Sequence, residues 1–325
     1  MNTCNAGSAL VNQTDPRQLH DEVLSALSHT PRTLPSQLLF DERGSMLFDC
    51  LCTLPEFYPV RAEMEILERY AAEITALLGF DCRLVARKVR NGQNTKNSLE
   101  RGEEGDRPLM EYLWPPQGRS EVATHQRLRV LSDRSRSPAG TEAPRKIIYL
   151  PWCPVGNRSP AEIEQTLAEA EELCGGNGGI LLSLDLTRDV RALDQAYNDR
   201  LGIAAAFNLN ILERLNRELD ADFNLRWFQH RTFYNSKHGR TEMQLVSLRD
   251  QEVGIDGLSI FLREYETIQT AHYYQHTLQD VARMAEASGL RVEHVWMDGR
   301  ECFSVHYVQP AAREKVKTRR NRQLV

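Results

Sequence analysis

The sequence lacks most of the features that would assign it to a specialised class. It contains no apolar run near the ~18 residues that a membrane-crossing helix needs, which argues against a membrane partner. Residues 1–15 are polar and carry no apolar stretch of the secretion-signal kind, so a cytoplasmic location is expected. Cysteine is scarce and odd in number, with seven residues and no Cys-x-x-Cys. Cys50 and Cys52 are too close for a usual zinc pair, and the pattern reads as reduced thiols rather than a disulfide framework. Internal repeats are absent. Charge of one sign is not in excess: 40 Lys and Arg face 45 Asp and Glu, a net −5, which gives no global attraction to nucleic acid or anionic lipid. No nucleophile-elbow motif supports Ser/His/Asp chemistry.

What remains is a globular composition, 41% hydrophobic and 26% charged, long enough for one large domain or two smaller ones. Pro16 at a first helical position predicts a helix to about Leu27. A second helix is expected after Pro59, where Met64, Leu67, Tyr70, Ala71, Ile74, Leu77 and Leu78 recur at helical spacing before Gly79. A short strand follows near Arg83–Ala86. From 88 to 145 the periodicity fails. The segment is rich in Arg, Ser, Gly, Asn and Pro, and residues 86–137 have the composition that a locally shifted reading frame would produce.

Order returns with an apolar strand at Ile147–Leu150. A helix over Pro160–Cys174 is opened by a Ser159/Glu162 capping box, and an apolar strand spans Ile180–Leu186. This order predicts a parallel crossover. Helices are expected over Val190–Tyr197 and Ala204–Leu219, and two strands near 226–234 and 240–248 joined at Lys237-His238-Gly239. A last helix, Leu278–Ala287, precedes strands Leu290–Met297 and Cys302–Val308. The fold class expected is α/β: a doubly wound, Rossmann-like sheet of the methyltransferase type, with an inserted α+β lobe. Residues 59–187 and 275–310 would form the sheet domain, 12–58 and 188–274 the second lobe, and 311–325 a basic tail. Ligand would bind at the carboxyl ends of the parallel strands, between the lobes.

Several separated motifs now carry a resemblance. They are Leu39-Phe40-Asp41-Glu42-Arg43-Gly44-Ser45, the run from Leu54 to Glu63, Ala204 to Asn210, Leu215 to Leu219, Phe233-Tyr234-Asn235, Glu242-Met243, Glu266-Thr267-Ile268 and Phe303-Ser304-Val305-His306. In that order, over about residues 16–308 outside the broken middle, the chain resembles the histidine Nα-methyltransferase family of ergothioneine biosynthesis. The resemblance implies S-adenosylmethionine as methyl donor, an amino-acid α-amine as small-molecule acceptor, and a monomer. It implies substrate contacts at Asn157, Tyr197, Met243, Gly156, Phe40 and Tyr273, with Asn157 and Tyr197 on the carboxylate. Cofactor contacts are implied at Phe57, Gly92 and Asp133.

This copy also departs from the family. Arg87, Lys88 and Arg90 stand where the family has a glycine turn, bringing positive charge toward a cationic sulfonium. Pro116 aligns with the ribose-binding acid. Trp152 and Pro154 replace small residues ahead of the matching Gly156-Asn157. Phe40 and Phe57 lack two family hydroxyls, while Ala271 and Tyr273 replace the imidazole-binding Glu and Ser. Selectivity for histidine is therefore expected to be weak. The alternative to an amino-acid methyltransferase with an eroded cofactor site is a non-catalytic relative that keeps only small-molecule binding in the second lobe. His272 and His276 have helical metal-ligand spacing but no third ligand. The Arg-rich stretch 119–136 and the basic tail read as solvated charge rather than a nucleic-acid surface.

Overall fold

The computed structural model of the protein describes residues 16–79, 82–86 and 145–311. The expectations placed on Gly92, Asp133, the Arg87–Arg90 cluster, Pro116, the 119–136 run and the tail lie outside the described residues.

Helix α1 (Pro16–Ser28) opens the described chain, followed by the two-residue strand β1 (Arg32–Thr33). Helix α2 (Glu42–Thr53) is capped by Asp41, whose side chain accepts from the Gly44 amide at 2.7 Å. Gly44 is required here, because a Cβ would collide with the Leu39 carbonyl oxygen. The second helix expected from the sequence is two helices, α3 (Tyr58–Arg69) and α4 (Ala71–Leu78), which meet at Tyr70. Their apolar spacing runs on across the joint, so periodicity alone could not show it. Gly79, at φ +83°, ends α4 in a conformation that glycine adopts freely.

Strand β2 (Cys82–Ala86) pairs in parallel with β3 (Arg145–Leu150). After β3 come a single helical turn, α5 (Trp152–Val155), then α6 (Pro160–Cys174) and β4 (Gly179–Asp185). The Ser159/Glu162 capping box is present, with Ser159 Oγ accepting from the Glu162 amide and the Glu162 carboxylate accepting from the Ser159 amide. Strands β3 and β4 are parallel, so α6 is the crossover that the sequence order implied.

The inserted region holds α7 (Val190–Tyr197), α8 (Ile203–Glu218), β5 (Phe228–Asn235) and β6 (Arg240–Ser247). It continues through the hairpin β7 (Gln251–Ile255) and β8 (Leu258–Leu262) to β9 (Thr267–Tyr274). The last three strands were not expected. Strands β7 and β8 are only five residues each, and Asp256-Gly257 is the turn signal that marks their hairpin. His272 lies on β9, and His276 just beyond it, so the two do not share a helical face. Helix α9 (Leu278–Ala287), β10 (Leu290–Met297) and β11 (Phe303–Pro310) complete the fold.

Among the described residues, the larger sheet has the order β10-β11-β4-β3-β2. Strands β2, β3 and β4 are parallel, while β11 runs antiparallel to β4 and β10 antiparallel to β11. Helices cover both faces. Ile66 and Leu67 of α3 belong to one apolar cluster, while Ile163 and Leu167 of α6 and Val281 and Met284 of α9 belong to the other. This is the doubly wound α/β class. The central strands are buried on both faces, as parallel strands between helical layers must be. The smaller sheet has the order β1-β9-β6-β5, so the segment before α2 pairs with the inserted region through β1 and β9. No described helix is long and apolar enough to cross a membrane.

His276 and His306 are buried near one another, and burial pushes them down to about 4 and about 3. Both are neutral in the folded protein while the unfolded chain binds their protons below about pH 6.5. Stability from these groups is therefore full above pH 6.5 and is lost as pH falls toward 4 and 3. Asp185, raised to about 6 by burial, works in the opposite sense: its contribution is full below pH 3.8 and is lost as pH rises through 6. The histidines dominate, His272 being lowered to about 4 as well. Tm is expected to fall by several degrees between pH 7 and pH 4.5, and His306→Gln to fall less over that interval, as measured by calorimetric scans.

Candidate active site

Four elements converge where β3 and β4 end. Phe57 stands at the mouth of α3, Trp152 begins α5, Tyr197 closes α7 and Tyr273 lies on β9. Their rings form one buried cluster. Phe57 meets Trp152 edge-on at 5.9 Å and Tyr197 at 5.7 Å. Tyr273 stacks on Tyr197 at 4.8 Å and on Trp152 at 6.1 Å. Trp152 and Tyr197 are each 1% exposed and Tyr273 is 7% exposed. Phe48 links Phe57 outward to Phe40, which is 38% exposed at the rim. Met243 is buried and pairs across β6 and β9 with Ala271.

The turn that carries Trp152 is fixed from three directions. Glu63 of α3, buried among Ala62, Ile66 and Leu67, accepts from the Tyr149 hydroxyl at 2.6 Å and from the Trp152 amide at 3.2 Å. The Gly156 amide returns to the Trp152 carbonyl at 2.6 Å, and the Gly156 carbonyl accepts from the Tyr274 amide at 2.7 Å, tying the turn to β9. Gly156 has no room for a side chain, since a Cβ would meet the Trp152 indole nitrogen. Asn157 is half-buried and its amide reaches Ser36 Oγ at 3.4 Å.

A second carboxylate ends the neighbouring strand. Asp185 accepts from the Tyr58 hydroxyl at 2.6 Å, from the Thr187 amide at 2.9 Å and from Gln275 at 3.3 Å. Burial raises Asp185 to about 6 and also raises Glu63. Burial, reinforced by nearby ionisable groups, keeps Tyr58, Tyr197 and Tyr273 protonated, so these phenols stay neutral hydrogen-bonding groups. Two polar atoms inside the aromatic cluster have no partner among the described residues, Trp152 Nε1 and Tyr197 Oη.

The structure thus places Phe57, Tyr197, Tyr273 and Gly156 in or against one cluster, with Met243, Asn157 and Phe40 around it. Phe57 is fully buried and packs among rings. Sequence reasoning did not single out Glu63, Asp185 or Tyr58. A signal existed for the two acids: each is a carboxylate at a position whose pattern is otherwise apolar, the buried stripe of α3 and the end of the strand Ile180–Leu184.

A doubly wound sheet closed by an antiparallel strand, with such a cluster at the strand ends, is the frame of an S-adenosylmethionine-dependent methyltransferase. Residues 19–99 and 121–310 match the family described as histidine-specific methyltransferase, SAM-dependent, and the chain belongs to that family. A histidine N-alpha-methyltransferase of Mycolicibacterium smegmatis is 30% identical over 91% of this chain and 96% of the relative. One of Mycobacterium tuberculosis is 32% identical over 74% of this chain and 78% of the relative. An L-tryptophan methyltransferase of Psilocybe serbica is 24% identical over 86% and 89%.

The Glu63 carboxylate is the element to remove first. Glu63→Ala leaves two buried donors unpaired and is expected to cost roughly 2–4 kcal/mol in urea unfolding. Glu63→Gln keeps an acceptor oxygen and should cost clearly less.

Proposed function

We propose that this protein transfers the methyl group of S-adenosylmethionine to the α-amine of a free amino acid. The observation that carries the reading is the buried, donor-bearing aromatic cluster at the carboxyl ends of β3 and β4, in a chain of this family. L-Histidine, named for both bacterial relatives, is the reference acceptor. The tryptophan-named relative supports an amino acid as the acceptor class.

The described residues fit a sulfonium donor. Aromatic rings attract a cation through their faces, and Glu63 and Asp185 border the cluster with negative charge when ionised. When bound, S-adenosylmethionine supplies a methyl carbon that accepts the lone pair of a neutral amine, the new C–N bond forming as the C–S electrons return to sulfur. The protein's part is alignment and exclusion of water. Asn157 and Tyr197 hold the acceptor carboxylate. Met243, Gly156, Phe40 and Tyr273 bound the acceptor, and Phe57, Gly92 and Asp133 contact the donor. An α-ammonium has no lone pair, so the acceptor sheds a proton before attack, and the methylated ammonium returns the charge to the amine. Residues 59–187 with 275–310 form the donor domain in this reading, and 12–58 with 188–274 the acceptor lobe.

Calorimetric titration with S-adenosylhomocysteine tests the reading, because product binding reports the donor site without turnover. Micromolar binding is expected. No binding by a folded sample would favour the non-catalytic alternative. Tyr197→Phe should weaken acceptor binding by about tenfold, the value of one hydrogen bond to a charged group, with S-adenosylhomocysteine affinity unchanged.

A further inference from the structure

The chain leaves the larger sheet after β4 and returns to it through residues 275–277, and both crossings are fastened to one residue. Asp185, the last residue of β4, is fully buried. Its backbone carbonyl accepts from the His276 amide at 2.8 Å. Its carboxylate accepts from the Thr187 amide at 2.9 Å on the outgoing segment and from Gln275 Nε2 at 3.3 Å on the returning one. A further donor, Tyr58 Oη at 2.6 Å, comes from the first residue of α3. The outgoing segment is also held by the Cys302 carbonyl, which accepts from the Leu186 amide at 2.9 Å and from Thr187 Oγ1 at 3.1 Å.

Gln275 carries the link into the smaller sheet. Its Oε1 accepts from Thr241 Oγ1 of β6 at 3.4 Å, and its amide donates to the Gly239 carbonyl at 2.9 Å. Tyr273, two residues before Gln275, pairs with Thr241 across β9 and β6 and stacks on Tyr197 and Trp152. Tyr58 follows Phe57, whose ring meets Trp152 and Tyr197 from the α3 side. One carboxylate thus joins α3 and β4 to the smaller sheet, through residues adjoining Phe57 on one side and Tyr273 on the other. The groups that converge on it all donate, and an ionised carboxylate only accepts. Asparagine has one accepting oxygen, so whichever way it turned its NH2 would face a donor.

We propose that Asp185 is a positioning residue for methyl transfer: by holding Thr187, Gln275 and Tyr58 together it fixes how the smaller sheet sits on the larger one, and so aligns the acceptor amine with the donor methyl. This rests on the amino-acid methyltransferase reading and deepens it. In-line attack tolerates little error, and a misplacement of about 1 Å costs about a hundredfold in rate.

The test compares the wild type, Asp185→Asn and Gln275→Ala in the full chain, with S-adenosylmethionine and L-histidine as substrates. It reads kcat and KM for methyl transfer, S-adenosylhomocysteine affinity by calorimetry, and amide hydrogen exchange. Asp185→Asn should lower kcat about a hundredfold and Gln275→Ala about tenfold, with KM and S-adenosylhomocysteine affinity within about threefold of the wild type. Exchange should quicken at 186–189 and 275–277 while β3, β4 and β6 keep their protection. Should Asp185→Asn not fold, Gln275→Ala decides. An unchanged kcat in a folded variant overturns the proposal. So does a loss of kcat with weaker binding of both ligands and lost protection across both sheets, the mark of a merely structural role. A wild type that transfers no methyl group defeats the methyltransferase reading and the positioning role with it. An active wild type whose variants are equally active removes the positioning role alone.

Discussion

Glu63 is one carboxylate with two donors, the Tyr149 hydroxyl and the Trp152 amide. Those two bonds join α3 to β3 and to the start of α5, where the chain leaves the sheet. The Trp152 indole stacks on Tyr273 of β9 and meets Phe57 edge-on. The Gly156 carbonyl bond to Tyr274 then locks the same turn to the smaller sheet. The aromatic cluster is thus a consequence of how the two sheets are tied. Burial raises the pKa of the Glu63 carboxyl, and its hydrogen bonds oppose that rise.

The shared motifs divide into architecture and site once their contacts are known. Asp41 accepts from Gly44, from Asn210 at 2.7 Å and from Arg217 at 2.6 Å; burial would raise its pKa, and these bonds hold it below the usual carboxylate value. Asn208 donates to the Gln244 carbonyl at 2.9 Å and accepts from Thr270 at 2.6 Å, pinning α8 to β6 and β9. These residues build the frame. Among the described residues, Trp152 Nε1 and Tyr197 Oη, in a cluster with Phe57 and Tyr273, have no hydrogen-bond partner.

Much of the fold was legible because local signals agreed. The Ser159 capping box, the apolar β4 and the amphipathic α9 each announced their own boundaries to within a residue or two. The β7 and β8 strands were missed because each is only five residues long. The break at Tyr70 was hidden by apolar spacing that continues across it. The resemblance named Tyr197, Met243 and Asn157 from motif order, and the structure places the Tyr197 ring in the aromatic cluster. The roles of Glu63 and Asp185 depend on partners far away in sequence, Tyr149 and Tyr58, and no local pattern shows such a pair. Trp152 was visible as a departure, but its stacking on Tyr273, more than a hundred residues away, was not.

The central claim is methyl transfer to an amino-acid amine. The most direct measurement is a single incubation of the protein with S-adenosylmethionine and an equimolar mixture of amino acids, read by mass spectrometry. The account predicts an amino acid heavier by one methyl substitution, labile at neither acid nor base, together with an equal amount of S-adenosylhomocysteine. A folded protein that forms neither product over long incubation contradicts it.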